Sequence, residues 1–141
     1  MNSTQNIDIE TITKETNADH PLLIDRIAKA LSIDRNEALD VFKELLRFLA
    51  LVSCSKNRLT PSLKIDLAWH EFILFTRPYT NTCELLFGRY IHHSPGGDEK
   101  ENQDQFKQTI QSYETNYGPL PHDLWGIDNG SEKAPCGPCS S

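Results

Sequence analysis

The sequence predicts an all-α fold, a compact bundle of about five helices with irregular N- and C-terminal tails. Three observations carry this. Apolar residues recur at helical spacing in successive segments, no segment alternates apolar and polar residues as a half-buried strand does, and clusters of Pro, Gly, Ser and Asn separate the segments. A chain of 141 residues suits a single domain.

Residues 1–19 are polar, with isolated Ile7, Ile9 and Ile12, and are expected to form a flexible N-terminal arm. The helical domain is expected over 20–125. Its first helix spans 21–31, where Leu22, Leu23, Ile27, Ala30 and Leu31 share a face. A second runs over roughly 35–52. Asp34 caps it with Glu37 three residues on, and apolar residues from Ala38 to Leu51 are dense enough to be buried on more than one side. A third starts near Pro61-Ser62, with Leu63, Ile65, Trp69, Phe72, Ile73 and Phe75 on its apolar face. Pro78 ends or kinks it. A fourth begins near Tyr79 or Thr80 and closes at Gly88, a C-terminal cap. The fifth, 98–117, carries Phe106, Ile110, Tyr113 and Tyr117 at spacings of 4, 3 and 4. Beyond it Trp125 is the one plausible anchor, and 126–141 reads as a Gly/Pro/Cys tail.

Fourteen Lys and Arg against twenty Asp and Glu give a net charge of −6. That balance argues against a nucleic-acid or membrane-surface partner, because both are met by cationic side chains. The helix pair 21–31 and 35–52 is not a DNA reader either, since Glu37, Asp40 and Glu44 oppose Lys43 and Arg47 on its second member. No apolar run reaches the length of about 18 residues that spans a bilayer. The first residues lack the basic start and apolar stretch of a signal peptide, so the expected location is the cytoplasm, where the four cysteines stay reduced.

The densest constellation lies over 61–95. Asp66 and His70 are four residues apart on one helix face, so the carboxylate can orient one imidazole nitrogen and leave the other for a metal or a proton. Tyr79 and Cys83 repeat that spacing on the next helix, and His92-His93 follow on a loop that can fold back. His70, Cys83 and His93 are thereby the expected metal ligands, with a fourth from His92 or from Cys136 and Cys139 in the tail. A nitrogen–sulfur set suits zinc first, and copper or iron next. Asp66 and Tyr79 support these ligands from behind. Cys136-Gly137-Pro138-Cys139 has the letters of a thioredoxin active site but not its strand–helix context, so it reads as a metal hook or a tail without fixed role.

The run Asp66-x-x-Trp69-His70, then Tyr79-x-x-x-Cys83, Gly88 and His93-x-Pro95, resembles the glycine-rich domain-containing-protein-like family. The resemblance is good over 61–95 and weaker outside it. It implies that Asp66, Trp69, His70, Tyr79, Cys83, Gly88 and His93 are the characteristic positions, and it selects His93 over His92. Plant members often carry a second histidine two residues past Trp-His, where this chain has Phe72, and the long glycine tract is replaced by a short Cys-Gly-Pro-Cys end. The leading expectation is a small metal-binding helical domain. The alternatives are a protein-interaction module, in which the motif only packs, and an enzyme using Asp66–His70 as an acid–base pair.

Overall fold

The computed structural model describes residues 2–94 and 98–127. Among these residues there are seven helices and no strands: α1 Asn2–Asp19, α2 Pro21–Leu31, α3 Arg35–Cys54, α4 Leu63–Leu74, α5 Thr76–Phe87, α6 Glu99–Tyr117 and α7 His122–Trp125. The all-α class is as expected, and the two helices beyond the expected five are α1 and α7. No helix of the described residues is long and apolar enough to cross a membrane.

Local chemistry sets most of the boundaries. Proline opens α2, where its missing N–H would have had no helical partner. Asp34 accepts from the Glu37 amide at 2.8 Å to start α3. Ser62 does the same for Ile65 at the start of α4, and Asp98 with Glu101 forms a complete capping box on α6. Gly88 closes α5 at φ +76, a left-handed turn that glycine adopts without a Cβ penalty.

Two boundaries differ from the sequence expectation. The break between α4 and α5 falls at Phe75, and Pro78 sits inside the first turn of α5, where it removes no helical hydrogen bond. Residues 2–19 are helical rather than an irregular arm, and Ile9, Ile12, Thr13 and Thr16 are buried. Those four positions make a helical stripe, but half of it is threonine, so counting apolar residues alone misses it. Thr13 donates its hydroxyl to the Ile9 carbonyl at 2.7 Å, which satisfies the polar atom within α1 itself.

Helix α3 is the axis of the bundle and packs against each of the other six helices. Its residues Val41, Phe42, Leu45, Leu46, Phe48 and Leu49 are fully buried. They meet Leu23, Ile24 and Ile27 of α2, Ile65, Ala68, Trp69 and Phe72 of α4, and Phe106 and Tyr113 of α6 in one continuous core. Trp125 of α7 closes the end of that core, completely buried and edge-on to Phe48 and Tyr113. The packed body therefore extends at least to Ile127, which is also buried.

One carboxylate lies in this core. Glu44 accepts from the Tyr113 hydroxyl at 2.6 Å and from the Trp125 indole N–H at 3.0 Å through Oε1, and from Arg47 at 3.1 Å through Oε2. Arg47 also donates to the Tyr113 hydroxyl and lies over the Tyr117 ring at 5.3 Å. Burial, and then the Glu44 carboxylate, push the Tyr113 phenol well above its ordinary range.

Glu44→Ala strands two buried donors and the Arg47 charge, so it should lower unfolding stability by about 3 kcal/mol. Glu44→Gln keeps an acceptor for both rings and should lose about half as much. Urea unfolding of the three proteins, followed by circular dichroism, measures both losses.

Candidate metal site

Three of the motif residues converge on the surface beside α4. Asp66 lies one helical turn into α4, and His70 follows one turn later on the same face. His93 arrives from the loop after α5 and donates Nε2–H to Asp66 Oδ1 at 2.7 Å. His70 Nε2 lies 3.7 Å from Asp66 Oδ2. One ligand atom from each of Asp66, His70 and His93 falls within 4.8 Å of the other two. Donor atoms around a tetrahedral zinc stand about 3.3 Å apart, so small side-chain rotations close the set on a cation. The side chains are 28%, 52% and 20% exposed in that order, so the group is open to solvent on the His70 side.

The loop that carries His93 is held in place by the rest of the motif. Trp69 donates its indole N–H to the Tyr79 hydroxyl at 2.9 Å, and that hydroxyl donates to the Ile91 carbonyl. Ile91 is itself buried, so the loop is fastened two residues before His93. Arg58 donates to the Ser94 carbonyl at 2.9 Å on the other side. Between these anchors the His93 ring rests against Trp69, with centroids 4.2 Å apart, and against His70 at 4.6 Å. Trp69 is backed in turn by Phe48 of α3. His92 points elsewhere, exposed and tilted against the Tyr90 ring with centroids 4.7 Å apart.

The arrangement departs from the expected ligand set in three ways. Asp66 stands in the group itself, as close to His93 as a hydrogen bond allows, rather than behind His70. Tyr79 does not support a ligand directly; it positions the loop through Ile91. Cys83 is not in the group. It shares a face of α5 with Tyr79, that face is the buried one, and no part of Cys83 is exposed. Cys136 and Cys139 lie outside the described residues. The Asp66–His70 relation was legible because it is one helical turn. The Asp66–His93 contact spans 27 residues and leaves no periodic trace in the sequence. The Glu44 cluster was missed for the same reason: its partners sit 69 and 81 residues away.

Burial pushes the Cys83 thiol above its ordinary value, which keeps it protonated and unreactive at neutral pH. Cys54 is exposed. Brief alkylation of the native protein followed by peptide mass mapping should therefore label Cys54 and leave Cys83 intact. Full labelling of Cys83 appears only after denaturation.

Burial likewise raises the Tyr79 phenol far above its ordinary value of 10. An acid held protonated in the fold but not in the unfolded chain loses stability as pH rises past that ordinary value. Tyr79→Phe removes this term and also strands the Trp69 N–H and the Ile91 carbonyl. It should cost about 1–3 kcal/mol at neutral pH and flatten the alkaline fall. Thermal melts from neutral to strongly alkaline pH test both effects.

Comparison with known proteins adds a family and no activity. The family model UCP032817-like matches residues 11–115. That span holds Asp66, Trp69, His70, Tyr79 and His93, and it stops before α7. No curated protein and no solved structure matches the chain. With most of its length matched, and with the whole three-residue group inside the match, the chain belongs to the UCP032817-like family.

Proposed function

We propose that this domain binds one divalent transition metal, zinc before iron or copper, through Asp66, His70 and His93. The observation that carries the reading is the convergence of two imidazoles and one carboxylate within 4.8 Å at a solvent-facing surface. Two further features support it. His93 already shares a proton with Asp66 at 2.7 Å, so a cation entering between the same two atoms replaces that proton rather than rebuilding the loop. Trp69 and the Tyr79–Ile91 bond fix the His93 ring before any metal arrives, which lowers the ordering cost of binding.

A set of two histidines and one carboxylate is borderline in hardness. It favours zinc or ferrous iron over copper(I), which prefers sulfur. Three protein ligands leave a tetrahedral ion one position for an outside ligand, as in metal handling or metal-assisted catalysis, whereas structural zinc sites are closed. The proposed role is a cytoplasmic one, and the acidic net charge argues against nucleic acid or a membrane surface as partner.

A second reading has its own observation. The 2.7 Å bond from His93 to Asp66, packed on Trp69, also serves as a latch that holds the 88–94 loop to α4 without any metal. In that case the motif belongs to the fold of an interaction module.

Zinc loading and desalting separate the two. The metal reading expects one zinc per chain by elemental analysis, lost in Asp66→Asn, His70→Ala and His93→Ala and kept in Cys83→Ser. It also expects zinc at about a hundred times its dissociation constant to raise unfolding stability by about 2.7 kcal/mol. A protein that retains no zinc and melts identically with and without it overturns the proposal in favour of the latch.

A further inference from the structure

Between α1, α3 and α6 the helices leave a cavity of about 370 Å³, within the range that holds a small organic ligand. Its lining is Ile9 and Glu10 of α1, Lys43 and Arg47 of α3, and Asn116 and Tyr117 at the end of α6. Neither the metal group nor the loop that carries His93 contributes to it. Lys43 and Arg47 are one turn apart, so α3 presents two cations to the same space. Lys43 Nζ donates to Glu10 Oε2 at 2.6 Å, and both side chains are partly exposed. Arg47 is held more firmly. Its Nη1 donates to Glu44 Oε2 and to the Tyr113 hydroxyl, both at 3.1 Å, and its guanidinium lies over the Tyr117 ring. Those bonds use both Nη1 hydrogens. Among the described residues nothing accepts from Nε or Nη2. These two nitrogens form the side-on fork of the guanidinium, whose parallel N–H bonds match the two oxygens of a carboxylate.

We propose that this cavity is a second binding site, for a small organic acid with one carboxylate, which sits on the Nε–Nη2 edge of Arg47 with its apolar body against Ile9 and the Tyr117 ring. Four features choose this ligand. The Arg47 head is already oriented by Glu44, Tyr113 and Tyr117, so little side-chain freedom is left to lose on binding. Lys43 gives one N–H to Glu10 and keeps two more for the same anion. Glu10 and Glu44 already balance Lys43 and Arg47, so the site takes one negative charge more readily than the two of a phosphate dianion. The walls are three helices, a shape that suits a free acid rather than the carboxylate of a docked protein chain. The bound acid bridges α1, α3 and α6, and it leaves the Glu44 bonds of the core as they are.

Benzoate is the probe, with inorganic phosphate beside it, and the full-length protein is used free of metal. Binding is followed through the Arg47 Nε–H signal and the backbone amide signals in proton–nitrogen NMR spectra. The wild type is compared with Arg47→Lys, Asn116→Trp and His70→Ala. Arg47→Lys keeps a cation beside Glu44 and removes the fork. Asn116→Trp fills the cavity from an exposed position and leaves the core untouched, so it decides alone should Arg47→Lys fail to fold. The expected result is saturable benzoate binding with a dissociation constant of the order of a millimolar and a downfield shift of the Arg47 Nε–H signal. Binding should weaken about tenfold or more in Arg47→Lys and in Asn116→Trp, and stay at the wild-type level in His70→Ala. Absence of saturable benzoate binding overturns the proposal, as does binding that either cavity variant leaves unchanged while folded. Tighter binding of phosphate than of benzoate overturns the carboxylate assignment. Loss of benzoate in His70→Ala places the acid at the metal group and overturns the cavity site.

Discussion

A helix that packs against six others must find partners for its buried polar side chains among its neighbours, and α3 is such a helix. Glu44 is where that requirement is met. Its carboxylate takes the Tyr113 hydroxyl from α6, the Trp125 indole from α7 and Arg47 from its own helix. The Tyr113 hydroxyl and the Trp125 indole N–H would otherwise be buried donors without an acceptor, at a cost of roughly 1–3 kcal/mol apiece. The cluster therefore does more than tolerate a charge. It specifies how α6 and α7 sit against α3, and the edge-on contacts of Trp125 with Phe48 and Tyr113 depend on that placement.

The surface group is built outward from the same core. Phe48 backs Trp69, and Trp69 backs the His93 ring. The indole N–H that would be unsatisfied in that position goes to Tyr79, whose hydroxyl passes the connection on to Ile91. A single chain of contacts thus leads from the centre of α3 to an imidazole on the surface. It also explains why the motif carries a tryptophan and a tyrosine. Trp69 and Tyr79 each present a flat apolar body to the core, and their polar atoms run in series, the indole N–H to the Tyr79 hydroxyl and that hydroxyl to the loop.

Much of this was legible in the sequence. The stripes of α2, α3 and α6, the cap at Asp34, the starts of α4 at Ser62 and of α6 at Asp98, and the left-handed end of α5 at Gly88 arise between residues three or four positions apart. Asp66 and His70 belong with them. α1 was obscured because threonine fills half of its buried stripe, and a hydroxyl that bonds its own helix is as buriable as a methyl group. Cys83 was misjudged because spacing assigns two residues to a common face without saying which way the face looks.

The sequence alone determined α2, α3 and α6, most of the helix ends and the residue types that ride together on each, because those depend on hydrogen bonds and steric contacts within a turn. Only the tertiary structure decided that His93 meets Asp66 while Cys83 turns inward, and that Glu44 gathers two aromatic donors from the far end of the chain. Those choices depend on which faces the core takes up. That is a property of the packed whole, in which the cost of stranding a buried polar group selects one arrangement among many with the same helices.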